Sequence, residues 1–258
     1  VERGDVRGHY EELAAEYDEH WVYGPDYIPW MSGRITETLR LAPTDRIADV
    51  GAGTGLFARE VAGQLRPHRP ILCIDPSEAM LSRLGTPPPT GLTPVIASAE
   101  DIAEGRTQLP YERLDAMWLK ESVHHLADPE HTLQGLADLL SPGGRLLVVM
   151  LPASIRYPLF EAALTRFEEL QPDPAHIVEH LRAAGLEARL THVEHELRLN
   201  RDRYFGMVRA RYMSLLSTFS DSEIEKGIEE MRAAHPEPVL VFPDRFAFVL
   251  GQRPKESA

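Results

Sequence analysis

The segment Lys120-Glu121-Ser122-Val123-His124-His125 sets one carboxylate and two imidazoles within about one helical turn. Groups of this kind move protons near neutral pH, which is the chemistry of general acid–base catalysis and of acceptor orientation. Glu121 or His124 is the expected base or orienting group, and His125 completes the candidate catalytic set. One histidine is expected to point inward and the other to be more solvated. The competing reading is structural hydrogen bonding. Asp128 beside the pair raises the question of a metal, but no metal is expected.

A second chemical signal lies at Asp49-Val-Gly-Ala-Gly-Thr-Gly55. Glycines at 51, 53 and 55 let the backbone turn tightly and approach a ligand closely. Asp75 follows 24 positions after Gly51, where a carboxylate can accept both hydroxyls of a ribose. Together they point to an adenosine-bearing ligand at the carboxyl edge of a sheet. The spacing is G-x-G-x-G rather than the G-x-G-x-x-G of a phosphate-binding dinucleotide loop, and no Gly-Lys-Ser/Thr follows. A nicotinamide oxidoreductase is disfavoured on that ground.

Two further stretches bear on an acceptor. Residues 198–212 carry five arginines and one aspartate. Arg209 and Arg211 fall on apolar helical stripes with Tyr212, so a guanidinium facing inward would seek a carboxylate or phosphate. The competing reading is pairing with nearby Glu or Asp. Near the start, Tyr10, Leu13, Tyr17 and Trp21 share one helical face, followed by Tyr23, Tyr27 and Trp30. That face either packs on the core or forms a flap, whose aromatic rings suit a cationic ligand.

These residues need elements to hold them. Helices are expected over 5–20 and 26–41, then alternating strands and helices. Strands are read at 46–50, 71–75, 93–97, 114–119 and 145–151, with helices at 56–65, 77–84 and from Pro129 to before Ser141. Buried apolar strands alternating with helices predict a doubly wound α/β sheet. After residue 151 helices are read at 158–170, 175–184, 202–217 and 221–234, with strands at 186–199 and 245–250. The late helices, about 155–170 and 202–234, are expected to cover the substrate. The whole chain, 1–258, is read as one domain: a helical flap over 1–42, a cofactor-binding core over 43–151 and a C-terminal half over 152–258.

Composition narrows the partners. The net charge is −13, and all but three of the 27 basic residues are arginine. An acidic chain with scattered arginine offers poor footing for nucleic acid or an anionic membrane. The single cysteine, Cys73, excludes an intrachain disulfide and fits a reducing compartment. A cytoplasmic protein, monomer or homodimer, is expected.

Five segments in order across residues 46–151 resemble the motifs of class I methyltransferases that use S-adenosylmethionine. They are Ala48–Gly55, Cys73-Ile-Asp-Pro-Ser-Glu-Ala-Met-Leu81, Ala97-Ser-Ala-Glu-Asp-Ile102, Leu114–Leu119 with Glu121–His125, and Leu140–Val148. The resemblance implies a mostly parallel seven-stranded sheet with helices on both faces. It implies that Asp49, Gly51, Ala52, Gly53 and Gly55 hold the methionine end of the cofactor, and that Asp75 takes the ribose. Pro76 and Met80 would lie near the adenine, Ser98, Ala99 and Glu100 along its edge, and the Leu119 backbone would face the cofactor's amino group. Many relatives carry Asp where this chain has Ser98. A similar tyrosine-bearing N-terminal segment in quinone-biosynthesis relatives implies that Tyr17 covers the cofactor, with Tyr10, Tyr23 and Tyr27 toward a small-molecule acceptor. The implied activity is methyl transfer to a small, anionic acceptor of biosynthetic metabolism, a carboxylate or a diphosphate. The alternatives are an intramolecular displacement on the cofactor, as in azetidine-forming relatives, and a non-catalytic binding subunit.

Overall fold

The computed structural model describes residues 24–255. Tyr10, Tyr17, Tyr23 and the helix expected over 5–20 lie outside the described residues.

The first compact unit comprises Gly24–Met150, Pro174–Thr191 and the residues from Ala247 on. It opens with α1 (Tyr27–Leu39), which buries Ile28, Met31, Ile35 and Leu39, the i, i+3, i+4 stripe of a helix with one apolar face. Then follow β1 (Ile47–Val50), α2 (Leu56–Leu65), β2 (Ile71–Asp75), α3 (Glu78–Ser82), β3 (Leu92–Ile96) and α4 (Ala99–Ala103). Next come β4 (Leu114–Lys120), a 3-10 turn (Val123–His125), α5 (Pro129–Asp138) and β5 (Leu140–Met150). Helix α7 (Pro174–Ala183) also belongs here.

Seven strands form one sheet in the order β3-β2-β1-β4-β5-β7-β6, with β6 at Glu187–Asn200 and β7 at Val239–Gln252. Neighbours from β3 to β5 run parallel and β7 runs antiparallel to β5. This is the expected doubly wound, mostly parallel α/β architecture. Strand order reverses between β1 and β4, and such a switch point opens a crevice at the strands' carboxyl ends.

The pleat divides the core. Ala48, Val50, Leu72, Ile74, Met117 and Leu119 pack with Leu133 and Leu136 of α5 and Ile177 and Leu181 of α7. Residues one step along each strand (Ile47, Asp49, Ile71, Cys73, Ala116 and Trp118) point to the opposite face and are equally buried. Strands buried on both faces read as nearly continuous apolar runs, which is why they stand out in the sequence.

Leu151–Asp173 and His192–Phe246 make a second compact unit. It holds α6 (Glu161–Leu170), α8 (Arg201–Arg209), a 3-10 turn (Ser214–Thr218) and α9 (Asp221–Ala234). Ser220 starts α9 with a reciprocal cap: its side chain accepts from the Glu223 N–H, and Glu223 reaches back to the Ser220 N–H. Phe160 packs against Gly227 of α9, where an added Cβ would come within 2.4 Å of the ring.

Several boundaries differ from expectation. The helix read over 202–217 stops at Arg209, because Arg211 takes the left-handed conformation (φ 56) and its guanidinium ties back to Phe219 and Asp221. The helix read from 158 starts at Glu161, since Phe160 is extended. Strand β5 begins at Leu140 instead of 145, and β7 at Val239 instead of 245. Prolines at 236 and 238, just before β7, and at 243 within it hide a period-two pattern in which Leu240, Phe242, Asp244 and Phe246 are buried.

Candidate functional site

At the carboxyl end of β1 the chain turns through Gly51 (φ 76), Gly53 (φ 55) and Gly55 (φ 73), all left-handed. A side chain at Gly51 would collide with Ser122, 2.6 Å from its Cβ, and one at Gly55 with Leu84 at 2.4 Å. Around Gly53 nothing lies within 4 Å of the position a Cβ would take. The first and third glycines therefore permit close packing within the fold, and the middle one leaves open room beside the loop.

The loop is hydrogen-bonded to the next strand. The Gly51 and Ala52 N–H groups both donate to the Ile74 carbonyl, at 2.8 and 2.9 Å. Asp75 then accepts from the Gly53 N–H on Oδ2 (2.8 Å) and from the Ser77 N–H on Oδ1 (2.9 Å). Two backbone donors stabilise the carboxylate and fix its plane. Ser77 is spoken for as the cap of α3, accepting from the Met80 N–H at 3.2 Å. Met80 is buried and Pro76 is exposed.

Asp49 is buried behind this loop, 3% exposed. Burial, and then the charge of Asp75, push its carboxyl up to about 8, while Lys120 and Trp118 pull it partly back. Trp118 stands directly opposite Asp49 in the β1–β4 register, so the two side chains share a face. Its indole N–H makes no hydrogen bond among the described residues. The Lys120 ammonium lies over the Phe57 ring, 4.6 Å from its centre. A protonated carboxyl next to an ionised one is a site poised for a cationic ligand, because a positive charge there lets both acids ionise.

The end of β4 carries the acid–base candidates. Glu121 adopts a left-handed backbone (φ 52), unusual for a side chain of its size, and its N–H donates to the Val149 carbonyl at 2.8 Å. Non-glycine residues persist in that region only where their surroundings over-determine it. Ser122 sits under Gly51 and its hydroxyl donates to the Val50 carbonyl (3.2 Å). The His124 and His125 rings lie 4.0 Å apart, centre to centre. Burial, and then its neighbour His125, push the His124 imidazole down to about 3, and its Nδ1 meets no hydrogen-bond partner among the described residues. His125 is the more solvated of the two. Leu119 is fully buried at the last inner position of β4.

Ser98 caps α4: its oxygen accepts from the Asp101 N–H (3.1 Å), and Asp101 accepts from the Ser98 N–H (3.0 Å). The oxygen expected at the base edge thus already accepts one hydrogen bond. Glu100 accepts from the Ala127 N–H at 3.2 Å, and Ala99 begins the helix between them. Asp128 caps α5 by accepting from the His131 N–H (3.0 Å). No group of three or more His, Cys, Asp or Glu residues among the described residues is placed to hold a metal ion. No helix of the described residues is long and apolar enough to cross a membrane.

The structure thus brings Asp49, the glycine loop, Asp75, Leu119, Glu121 and His124 to one edge of the first unit. Tyr27, read as facing an acceptor, is buried at 1% exposure in the packing of α1. In the second unit, Arg209 gives its fork to Glu225 at 2.5 and 2.9 Å. Arg211 donates to Asp221 (2.7 Å) and to the Phe219 carbonyl (3.1 Å). Both guanidiniums are satisfied within the chain, so neither carries the argument for an anionic acceptor. Tyr212 is buried, its hydroxyl 3.2 Å from that of Tyr204.

Comparison with known proteins bears on this edge. The methyltransferase-domain family profile matches residues 48–146, the span that holds every group just described around Asp49 and Asp75. That span is similar to a methyltransferase domain. The chain is similar to a ubiquinone/menaquinone biosynthesis C-methyltransferase of Geobacter sulfurreducens, 27% identical over 158 residues, 58% of this chain and 59% of the relative. It is also similar to the 27-O-demethylrifamycin SV methyltransferase of Amycolatopsis mediterranei, 30% identical over 61% of this chain and 59% of the relative. The chain thus spans about three-fifths of the length of these curated relatives. In fold it is similar to phosphoethanolamine N-methyltransferase 2 of Haemonchus contortus in complex with phosphomonomethylethanolamine and S-adenosylhomocysteine. That match has a TM-score of 0.59 and 16% identity, and covers 94% of this chain and 57% of that one.

Three contributions at this edge were left unassigned by the sequence reading. Trp118 and Lys120 act on Asp49 from β4, and Ser122 seals the underside of the loop. The signal for the first two was present, since period-two alternation sets 118 and 120 on the face opposite the inner Leu119. Nothing in the sequence pairs β4 with β1, so which acid they meet was not legible.

Proposed function

We propose that the chain transfers a methyl group from S-adenosylmethionine to a small-molecule acceptor. The observation that carries the reading is Asp75, locked by the Gly53 and Ser77 N–H groups beside the glycine loop, one strand from a buried Asp49 whose proton a cation would displace. Two acids at a glycine loop fit a cationic nucleoside and oppose a pyrophosphate, which separates this reading from a nicotinamide cofactor. Bound there, the sulfonium would supply an activated methyl group with a good leaving group.

The residues' own share is positional. Asp75 would fix the ribose, and the open space at Gly53 would admit the cofactor against the loop. Ser98, Ala99, Glu100, Pro76 and Met80 would border the base, and the Leu119 carbonyl edge and Asp49 the amino-acid end. Holding an acceptor in line with a fixed methyl group is itself worth many kcal/mol in such displacements. His124, neutral throughout the physiological range, is too weak a base to take a proton at pH 7. Its part is to orient the acceptor, leaving proton removal, where the acceptor needs it, to Glu121 or His125.

The test is calorimetry with S-adenosylhomocysteine and turnover with S-adenosylmethionine. Saturable binding that is lost in Asp75→Ala supports the reading; no saturable heat ends it. Release of methylthioadenosine without any acceptor would assign an intramolecular displacement instead.

A further inference from the structure

The second unit carries a concavity that plays no part in the foregoing. It encloses about 540 Å³, within the size range of pockets that hold small organic ligands. Leu159 and Leu164 line it, as do Val239 and Val241 of β7. The two valines are 45% and 49% exposed, two of the four large apolar residues left open to solvent among the described residues. Side chains that alternate along a strand with buried Leu240 and Phe242 would ordinarily be polar on the solvent side. Two valines there make an apolar wall, and such walls mark binding surfaces.

The polar groups at this cleft give the chemistry. Arg156 and His235 both line it. Among the described residues, neither side chain has a hydrogen bond or ion pair. That sets Arg156 apart from Arg209 and Arg211, whose forks are taken. Glu237 also lines the cleft, so the rim holds one carboxylate against a guanidinium and an imidazole. A planar guanidinium binds a carboxylate through two parallel hydrogen bonds. The Glu237 charge penalises a doubly charged head more than a singly charged one.

The cleft wall is held from behind. Tyr157 lines the cleft, meets Phe242 edge-on at 5.2 Å between ring centres, and donates its hydroxyl to the fully buried Asp244. Tyr204 in turn packs on Phe242 at 5.5 Å. A floor pinned by a buried carboxylate keeps its shape without a ligand, which lowers the ordering cost of binding.

We propose that this cleft is a binding site for a small amphipathic monoanion: a carboxylate read by Arg156, with an apolar chain or ring laid against Val239, Val241, Leu159 and Leu164. The site is independent of the methyl-transfer reading, since none of its residues belongs to the glycine-loop edge.

The experiment is calorimetric titration of the full chain with sodium octanoate, with S-adenosylhomocysteine titrated into the same preparations. One saturable octanoate site is expected, at least tenfold weaker in Arg156→Gln and abolished in Val241→Asp. Leu170→Asp, at an exposed apolar position outside the cleft, should bind octanoate as the unaltered chain does. Octylamine and octyl phosphate should each bind more weakly than octanoate. Absence of saturable binding at millimolar octanoate overturns the proposal. So does equal affinity in Arg156→Gln and Val241→Asp, which would mean unspecific adsorption. Tighter binding of octyl phosphate overturns the carboxylate assignment. Retained S-adenosylhomocysteine binding in such a failure leaves the methyltransferase reading intact, and its loss alone would sink that reading instead.

Discussion

The two compact units hold a carboxylate in opposite ways, half-buried Asp75 in one and buried Asp244 in the other. In the first, Asp75 is stabilised by backbone: N–H groups of Gly53 and Ser77, positioned by a turn that glycine makes possible. In the second, Asp244 is held by side chain: the hydroxyl of Tyr157, which lies 87 positions away in sequence, with the phenols of Tyr204 and Tyr212 close enough to feel its charge. Burial keeps both of those phenols neutral, and Asp244 raises them further. Backbone donors stay put when a ligand comes and goes. A side-chain network spends its capacity on holding distant segments together. The first arrangement suits a ligand site, and the second a rigid floor.

The widest gap between the two should appear on Asp75→Ala. It removes the acceptor of two charge-assisted backbone bonds and the group proposed to take the ribose, so S-adenosylhomocysteine affinity should fall by about a hundredfold or more. Calorimetry measures this, and a change under threefold would break the distinction. Next comes Tyr157→Phe, which strips a donor from a fully buried acid. It should lower stability by about 2–3 kcal/mol in chemical denaturation while leaving S-adenosylhomocysteine affinity unchanged. Asp244→Asn should cost much less when combined with Tyr157→Phe than alone. Additive losses would mean the two groups are not coupled.

A smaller effect sharpens the electrostatics of the first unit. Unfolded, Asp49 ionises near pH ~3.9, whereas in the fold it keeps its proton to about 8. The folded state therefore binds the extra proton between those values, and the stability tied to that proton is lost as pH rises through 8. Asp49→Asn should make the ligand-free chain relatively more stable at pH 9 than at pH 6, read from Tm at the two values. Ligand binding should release a proton near neutral pH in the unaltered chain, so affinity should climb by at most about tenfold per pH unit below 8 and level off above it. The Asn variant should show a flat profile, and an unaltered pH dependence in it would remove Asp49 from the account. The smallest effect belongs to Arg209→Ala, which breaks a solvent-exposed pair with Glu225. Tm should move by less than about 2 °C and acceptor KM by less than twofold.

What the sequence determined by itself is the glycine-loop edge and the alternation around it. Gly51, Gly53 and Gly55 act through local backbone geometry, and Asp49 and Asp75 stand at strand ends; a turn or strand end is written in the few residues that form it. The helix α2 and strands β1 to β4 follow within a residue or two for the same reason, since their apolar periods are read over short windows. Only the tertiary structure decided which partners long side chains took. Arg209 and Arg211 looked alike available and anion-seeking, and both are paired. Tyr157 meets Asp244, and Trp118 meets Asp49, across strand pairings that no local pattern encodes. Arg156 and His235 drew no notice because their surroundings come from two stretches of chain far apart in sequence. A local rule fixes dihedral angles, but the closure of a long loop is settled by the whole balance of burial and chain entropy.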